Sequence, residues 1–210
     1  MNIWLLLSVL LLMQYGSAPA TGPSPDMGSS AQTPTYTADG KLMFPVKYRE
    51  WVYLSSGIDM TYFNNGMAMD HSMFDNVFVN PDAYRAFLET GKWPDKTMLV
   101  LEVRKAESNA SINKAGHFQT DELMGKEVHV RDDSRFEGRW AFFGFDDAST
   151  AKMVPKEAAC YSCHQQHAAV DTTFVQFYPT LLNIAKNKGT LSPEYLKDEA
   201  AAEKETRSKK

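Results

Sequence analysis

Two thiols and an imidazole stand together late in the chain, as Cys160-Tyr161-Ser162-Cys163-His164, and these are the only two cysteines among 210 residues. Thiols three positions apart can each add to one vinyl group on the same porphyrin edge. An imidazole on the next residue can then turn beneath the ring and reach the iron, which is the c-type haem attachment pattern. The competing chemistries fit less well. A redox-active dithiol needs a βαβ scaffold, for which the chain shows no pattern. A disulfide between residues so close would close a very small loop and stabilise little. A zinc site needs further Cys or His ligands, and there is no second Cys pair. The motif therefore predicts one covalent haem c, attached through Cys160 and Cys163, with His164 as the iron ligand.

What such a haem does is set by the opposite face of its iron: a strong sixth ligand makes an electron carrier, an open face binds small molecules. Eleven methionines, with His71, His117, His129 and His167, leave a sixth ligand open by inventory. His167, three residues along the helix, stays on the side of His164. His129 reads as a strand-surface residue, and His117 sits in a polar, turn-like stretch. Met67-Ala68-Met69-Asp70-His71-Ser72-Met73 alternates thioethers with an imidazole and could hold copper(I). The plainer reading is an adaptable methionine-rich loop near the haem rim.

The elements that must position these groups are mostly strands. Trp51 to Leu54, Val77 to Val79, Thr97 to Arg104, Glu127 to Arg131 and Trp140 to Phe145 are β-branched and aromatic runs. Thr97 to Arg104 is apolar on both faces at its centre and so belongs inside a sheet. Glu127 to Arg131 alternates, as a strand with one wet face does. Too little helix separates the runs for repeated βαβ units, so the expected class is mainly β (α+β), an antiparallel sheet with a few helices. One helix is signed by Asn80 as N-cap, Pro81 at the first helical position and Gly91 as stop, with Ala83, Tyr84, Phe87 and Leu88 on one face. A second is expected after the haem motif, from Phe174, Phe177, Tyr178, Leu181, Leu182 and Ala185, kinked at Pro179 and ended by Gly189.

The ends carry different signals. Ile3 to Met13 is an apolar run too short to span a bilayer but suited to a signal peptide, with Ala18-Pro19-Ala20 as small residues for cleavage, the alternative being an uncleaved membrane-edge anchor. We expect residues 1–20 to be an export signal to the periplasm, 21–40 a flexible linker, 41–188 the haem domain, and 189–210 a solvated, partly frayed charged tail. No membrane span is expected after signal removal. Apolar and charged fractions of 43% and 23% are those of a soluble globular protein. A net charge of −4 argues against nucleic acid as a partner, since no basic excess exists to neutralise phosphates.

Several blocks, in order, resemble the cytochrome P-460 family: Tyr48-Arg49-Glu50-Trp51, Phe74 to Val79, Asn80-Pro81-Asp82-Ala83-Tyr84, Thr90 to Asp95, Arg139-Trp140-Ala141-Phe142, and the haem segment from Cys160 through Phe174 to Leu181. The resemblance covers about Lys41 to Lys188. It implies a small, largely antiparallel β fold, often dimeric, with an open distal haem face; the partners that go with such a haem are a small gaseous or nitrogenous ligand and, as one option, a redox partner protein. One branch of that family cross-links a lysine of the central strand to the porphyrin and oxidises hydroxylamine. The other, cytochrome c′-beta, lacks the cross-link and binds nitric oxide and carbon monoxide in an aromatic distal pocket. Aligning Pro94-Asp95 and Thr97 places the cross-linking position at Leu101, which cannot make that bond. Lys96 lies in the preceding turn, and Lys105 is four residues on, about 13 Å along a strand. The expectation is therefore a c′-beta-like gas binder, with Leu101, Phe74 and Phe78 forming an apolar distal face that lacks an acid–base group. Oxidation of hydroxylamine or nitric oxide, and six-coordinate electron transfer, are the alternatives.

Overall fold

The computed structural model describes residues 32–61, 72–146 and 148–208. The expected export signal and most of the Met67–Met73 segment lie outside the described residues. The strands are β1 (Leu42–Met43), β2 (Val52–Ile58), β3 (Met73–Val79), β4 (Met98–Glu107), β5 (Phe118–Arg131), β6 (Trp140–Phe145) and β7 (Thr150–Ala151). The helices are α1 (Pro81–Thr90), α2 (Ala159–His167), α3 (Leu182–Lys188) and α4 (Pro193–Ser208). Strands β2 to β6 form one five-stranded sheet in sequence order with every neighbouring pair antiparallel, and β1 pairs with β7.

Alternation along β4 assigns the two faces. Met98 and Val100 point into a core with Tyr48, Trp51, Phe78, Val128 and Phe143. Leu99 points the other way, into a core that α1, α3 and α4 close with Phe87, Ala185 and Tyr195. A bulge in β2 between Tyr53 and Ser55 shifts the register against β3. Val52 and Leu54 serve the helix-covered face before it, and Ser55 and Gly57 face the same side after it. One extra residue thus carries the edge strand past the phase that strict alternation would impose.

Glu102, between Leu101 and Val103 on β4, is fully buried on the face opposite Leu101. Its carboxylate accepts hydrogen bonds from Tyr48, from Arg49 at 2.5 and 2.6 Å, from Arg104 Nε at 2.8 Å and from Asn76 at 3.3 Å. A buried carboxylate survives there because every oxygen has a partner.

Helix α1 begins and ends where its cap residues predict. Gly91, with φ of 69°, turns the chain left-handed and sends its N–H to Phe87 O. Asn80 occupies the N-cap position without capping through its side chain. Its amide instead accepts Met98 N–H at 2.9 Å and donates to Lys96 O at 3.3 Å, locking the corner between β3 and β4. Ala83 and Phe87 are buried, but Leu88, expected on the same face, is exposed.

Three other expectations are corrected. The kinked helix after the haem motif is two elements, a 3-10 turn at Val175–Phe177 and α3 from Leu182, because the chain turns through Tyr178 to Leu181 around Pro179. Tyr36, expected in the linker, packs its ring against Phe136 and under the Arg135 guanidinium. The expected frayed tail is α4, whose Tyr195 is buried in the helix-side core.

Candidate functional site

Helix α2 carries the motif and buries none of its residues. Nine residues with no apolar face would not hold a helix in place, so its position comes from tertiary ties. Tyr161, inside the motif, supplies one: its hydroxyl donates to Val154 O at 3.1 Å and accepts Phe142 N–H at 3.2 Å. Cys160 and Cys163 are one helical turn apart, half-buried and not joined to each other.

His164 follows and is tightly positioned. Its Nδ1 lies 2.7 Å from Thr172 O, a carbonyl that can only accept, so Nδ1 carries the proton and Nε2 keeps its lone pair. Phe174 and Phe142 flank the ring at centroid distances of 4.2 and 4.7 Å. Burial lowers its pKa against the opposing hydrogen bond to Thr172, so the imidazole is neutral, as a metal ligand must be. The loop bearing Thr172 is itself pinned. Thr173 Oγ1 accepts Trp93 Nε1–H at 2.8 Å, Gln176 accepts Ala169 N–H at 2.9 Å, and Asp171, in a left-handed conformation, lies 3.6 Å from Arg131.

The His164 ring borders a cavity of about 250 Å³ on the helix-covered face of the sheet. Sheet register explains its floor. One rung is Leu99, His129 and Phe142, the next is Val77, Leu101 and Glu127, and Asp75 stands one rung further on. Ser55, Gly57 and Met60 close it at the β2 edge, away from His129 and Phe142, which touch His164. A Cβ at Gly57 would collide with the Met60 thioether, so the glycine makes room for that side chain.

Leu101 thus lines the cavity, with Cys160, Cys163 and His164 on the adjoining helix. Phe74 and Phe78 do not line it. They share the other phase of β3, and Phe78 packs between Tyr48 and Tyr53 at 5.5 and 5.7 Å in the opposite core. His129 is not a strand-surface residue: it stacks on Phe142 at 3.9 Å, and its Nε2 lies 3.3 Å from Thr172 Oγ1. Burial holds it well below the ordinary imidazole range, so it too is neutral. The expected apolar distal face is also corrected, because Asp75 and Glu127 bring two carboxyl groups into the cavity wall. Strand alternation signalled Glu127 and His129 as a wet face, but nothing local showed that this face is a cavity.

Burial raises the pKa of Asp75, helped by the charges of Glu127 and Asp59, and desolvation raises that of Glu127 although its side chain faces open space. A carboxyl whose folded pKa is raised destabilises the fold once it ionises, so stability falls as pH climbs from the ordinary carboxylate range through the raised values. Asp75→Asn is expected to raise the thermal midpoint at neutral pH and to leave it unchanged in mild acid, and Glu127→Gln, at an exposed position, to do the same by less. Melting curves across pH check this, and a midpoint lowered at neutral pH would contradict it.

The donors fit a haem. Two unpaired thiols one turn apart, a neutral imidazole with a free Nε2, and walls of Val77, Leu99, Leu101 and Phe142 match the needs of a porphyrin edge, an iron and an apolar ring. The buried Nε1 of Trp140, whose ring lies 4.5 Å from that of His129, has no hydrogen-bond partner among the described residues.

A search of curated proteins returns no match. The family model for cytochrome P460 matches residues 45–175, more than half of the chain and inclusive of the haem motif. With that match standing beside the geometry of α2 and the cavity, the chain belongs to the cytochrome P460 family.

Proposed function

We propose that the chain is an exported, periplasmic cytochrome with one haem c, held by Cys160 and Cys163 and ligated by His164, whose iron stays open to a small ligand such as nitric oxide or carbon monoxide. When bound, the haem supplies the iron that takes up the ligand. The chain's own residues do the rest. Thr172 fixes the tautomer and direction of His164. Phe142 and Phe174 pack against the ring and hold its direction.

One observation carries the open face. His129, the other imidazole among the described residues lining the cavity, is engaged by the same Thr172 that engages His164, so the two rings sit side by side rather than across an iron. Leu101 offers no amine for a porphyrin cross-link. Among the described residues no helix is long and apolar enough to cross a membrane. A second reading, an oxidoreductase acting on hydroxylamine or nitric oxide, gains support from Asp75 and Glu127, which provide the acid–base group that an apolar pocket would lack.

The absorption spectrum of the ferrous protein before and after carbon monoxide tests the proposal. A high-spin c-type spectrum that shifts with carbon monoxide is expected. A low-spin spectrum indifferent to the gas would overturn it and point to Met60, the described methionine on the cavity wall, as a sixth ligand. Steady turnover of hydroxylamine would move the assignment to the second reading.

A further inference from the structure

Among the described residues, the two acids that line the cavity stand without cations. Asp75 on β3 and Glu127 on β5 point to the same face, one rung apart, on either side of β4. The β4 residues on that face between them, Leu101 and Val103, are apolar and cannot bridge them. No ion pair or hydrogen bond to either carboxyl exists among the described residues. Their charged surroundings add to the negative potential or leave it alone. Asp59, after β2, is a third acid that acts on Asp75 and is itself held by Ser72 Oγ at 2.8 Å and Met73 N–H at 2.8 Å. His117 acts on Asp59 alone. Lys105, the next residue of that phase on β4, is taken by Glu122 at 3.1 Å and Glu107 at 3.6 Å. Beside Glu127, His129 and His164 are neutral, and Cys160, a thioether once the haem is attached, carries no charge.

We propose that Asp75 and Glu127 together form an anion filter, reserving the cavity for uncharged or cationic small nitrogen ligands and rejecting anions of the same size. The proposal rests on the cavity being the ligand chamber of an open haem. Its physical basis is that an anion entering the cavity passes beside unpaired carboxylates and meets a repulsion that water screens only in part. A diatomic gas carries no charge and meets none. Each carboxylate is expected to weaken anion binding about tenfold. The filter strengthens as pH rises, because both carboxyls ionise above the usual carboxylate range.

The test uses the haem-loaded protein. Azide and fluoride are titrated into the ferric form by the Soret shift, across the pH range where both ions stay deprotonated, and carbon monoxide is titrated into the ferrous form. The wild type, Asp75→Asn, Glu127→Gln and the double variant are compared. The filter predicts anion affinities that fall with pH in the wild type. It predicts a rise of about tenfold in each single variant and about a hundredfold in the double variant, with a flatter pH slope. Carbon monoxide affinity should change less than that of either anion in every variant. Normal carbon monoxide binding with anion affinities indifferent to the substitutions would overturn the filter and leave the open-iron reading standing. Absence of any carbon monoxide binding would overturn that reading and the filter with it.

Discussion

Replacing Cys160 and Cys163 together by alanine is expected to abolish covalent haem retention, so that haem dissociates on denaturation and extracts into acidified organic solvent. The wild-type chain should keep its colour through the same treatment. Each single substitution should leave one thioether and a haem that still migrates with the denatured chain. The expectation follows from geometry as well as from the motif. The thiols project from one face of α2, a turn apart, and are not joined to each other. No parallel strand pair exists among the described residues to supply a dithiol-oxidoreductase scaffold. Haem that remains bound to the denatured double variant would refute the attachment.

The second large effect concerns stability and lies on the other face of the sheet. Glu102→Ala is expected to cost about 3–5 kcal/mol, measured by urea unfolding, because it leaves the largely buried Arg104 guanidinium, Asn76 and Tyr48 without their shared acceptor. Arg49→Ala should cost less than about 1 kcal/mol, since that side chain is about half exposed. The pH dependence has a definite sign. Burial opposes ionisation of Glu102, but hydrogen bonds from Arg104 and Tyr48 and the charges of Arg104 and Arg49 outweigh it, so its pKa falls below the ordinary carboxylate value. Its stabilisation is complete above the unfolded value and is lost as pH falls through the folded one. The alanine variant should lack that acid-side loss. A cost below about 1 kcal/mol for Glu102→Ala would show the network to be dispensable.

This network also bears on the cavity. A slip of β4 by one residue would exchange Leu101 and Glu102 between the two faces, placing a charge where Leu101 stands and an aliphatic chain against Arg49 and Arg104. The Tyr48-Arg49 segment that the sequence presents as a bare family block therefore has a mechanical role: it fixes the register that puts Leu101 at the cavity.

The attachment chemistry proposed here was legible in the sequence by itself, because thiol spacing and the adjacent imidazole are local facts that any fold must respect. The sequence also determined the antiparallel sheet, the five main strands and α1, since alternation and cap residues act within a few positions. Where a strand has no buried face the signal failed. Residues 118–126 extend β5 through Gln119, Asp121 and Glu122, exposed polar residues that look like loop until β4 supplies their partners. Only the tertiary structure decided which face of each strand meets the haem pocket. Phe74 and Phe78 share a phase that the sequence reveals, but β3 is apolar on both sides at its end, with Val77 and Val79 opposite them. Which phase turns toward α2 depends on what packs against each side, not on β3. The wet phase of Glu127 and His129 was legible for the same local reason and misplaced for the same non-local one. A polar strand face looks alike whether it borders bulk water or a cavity, and only the helices laid across the sheet separate the two.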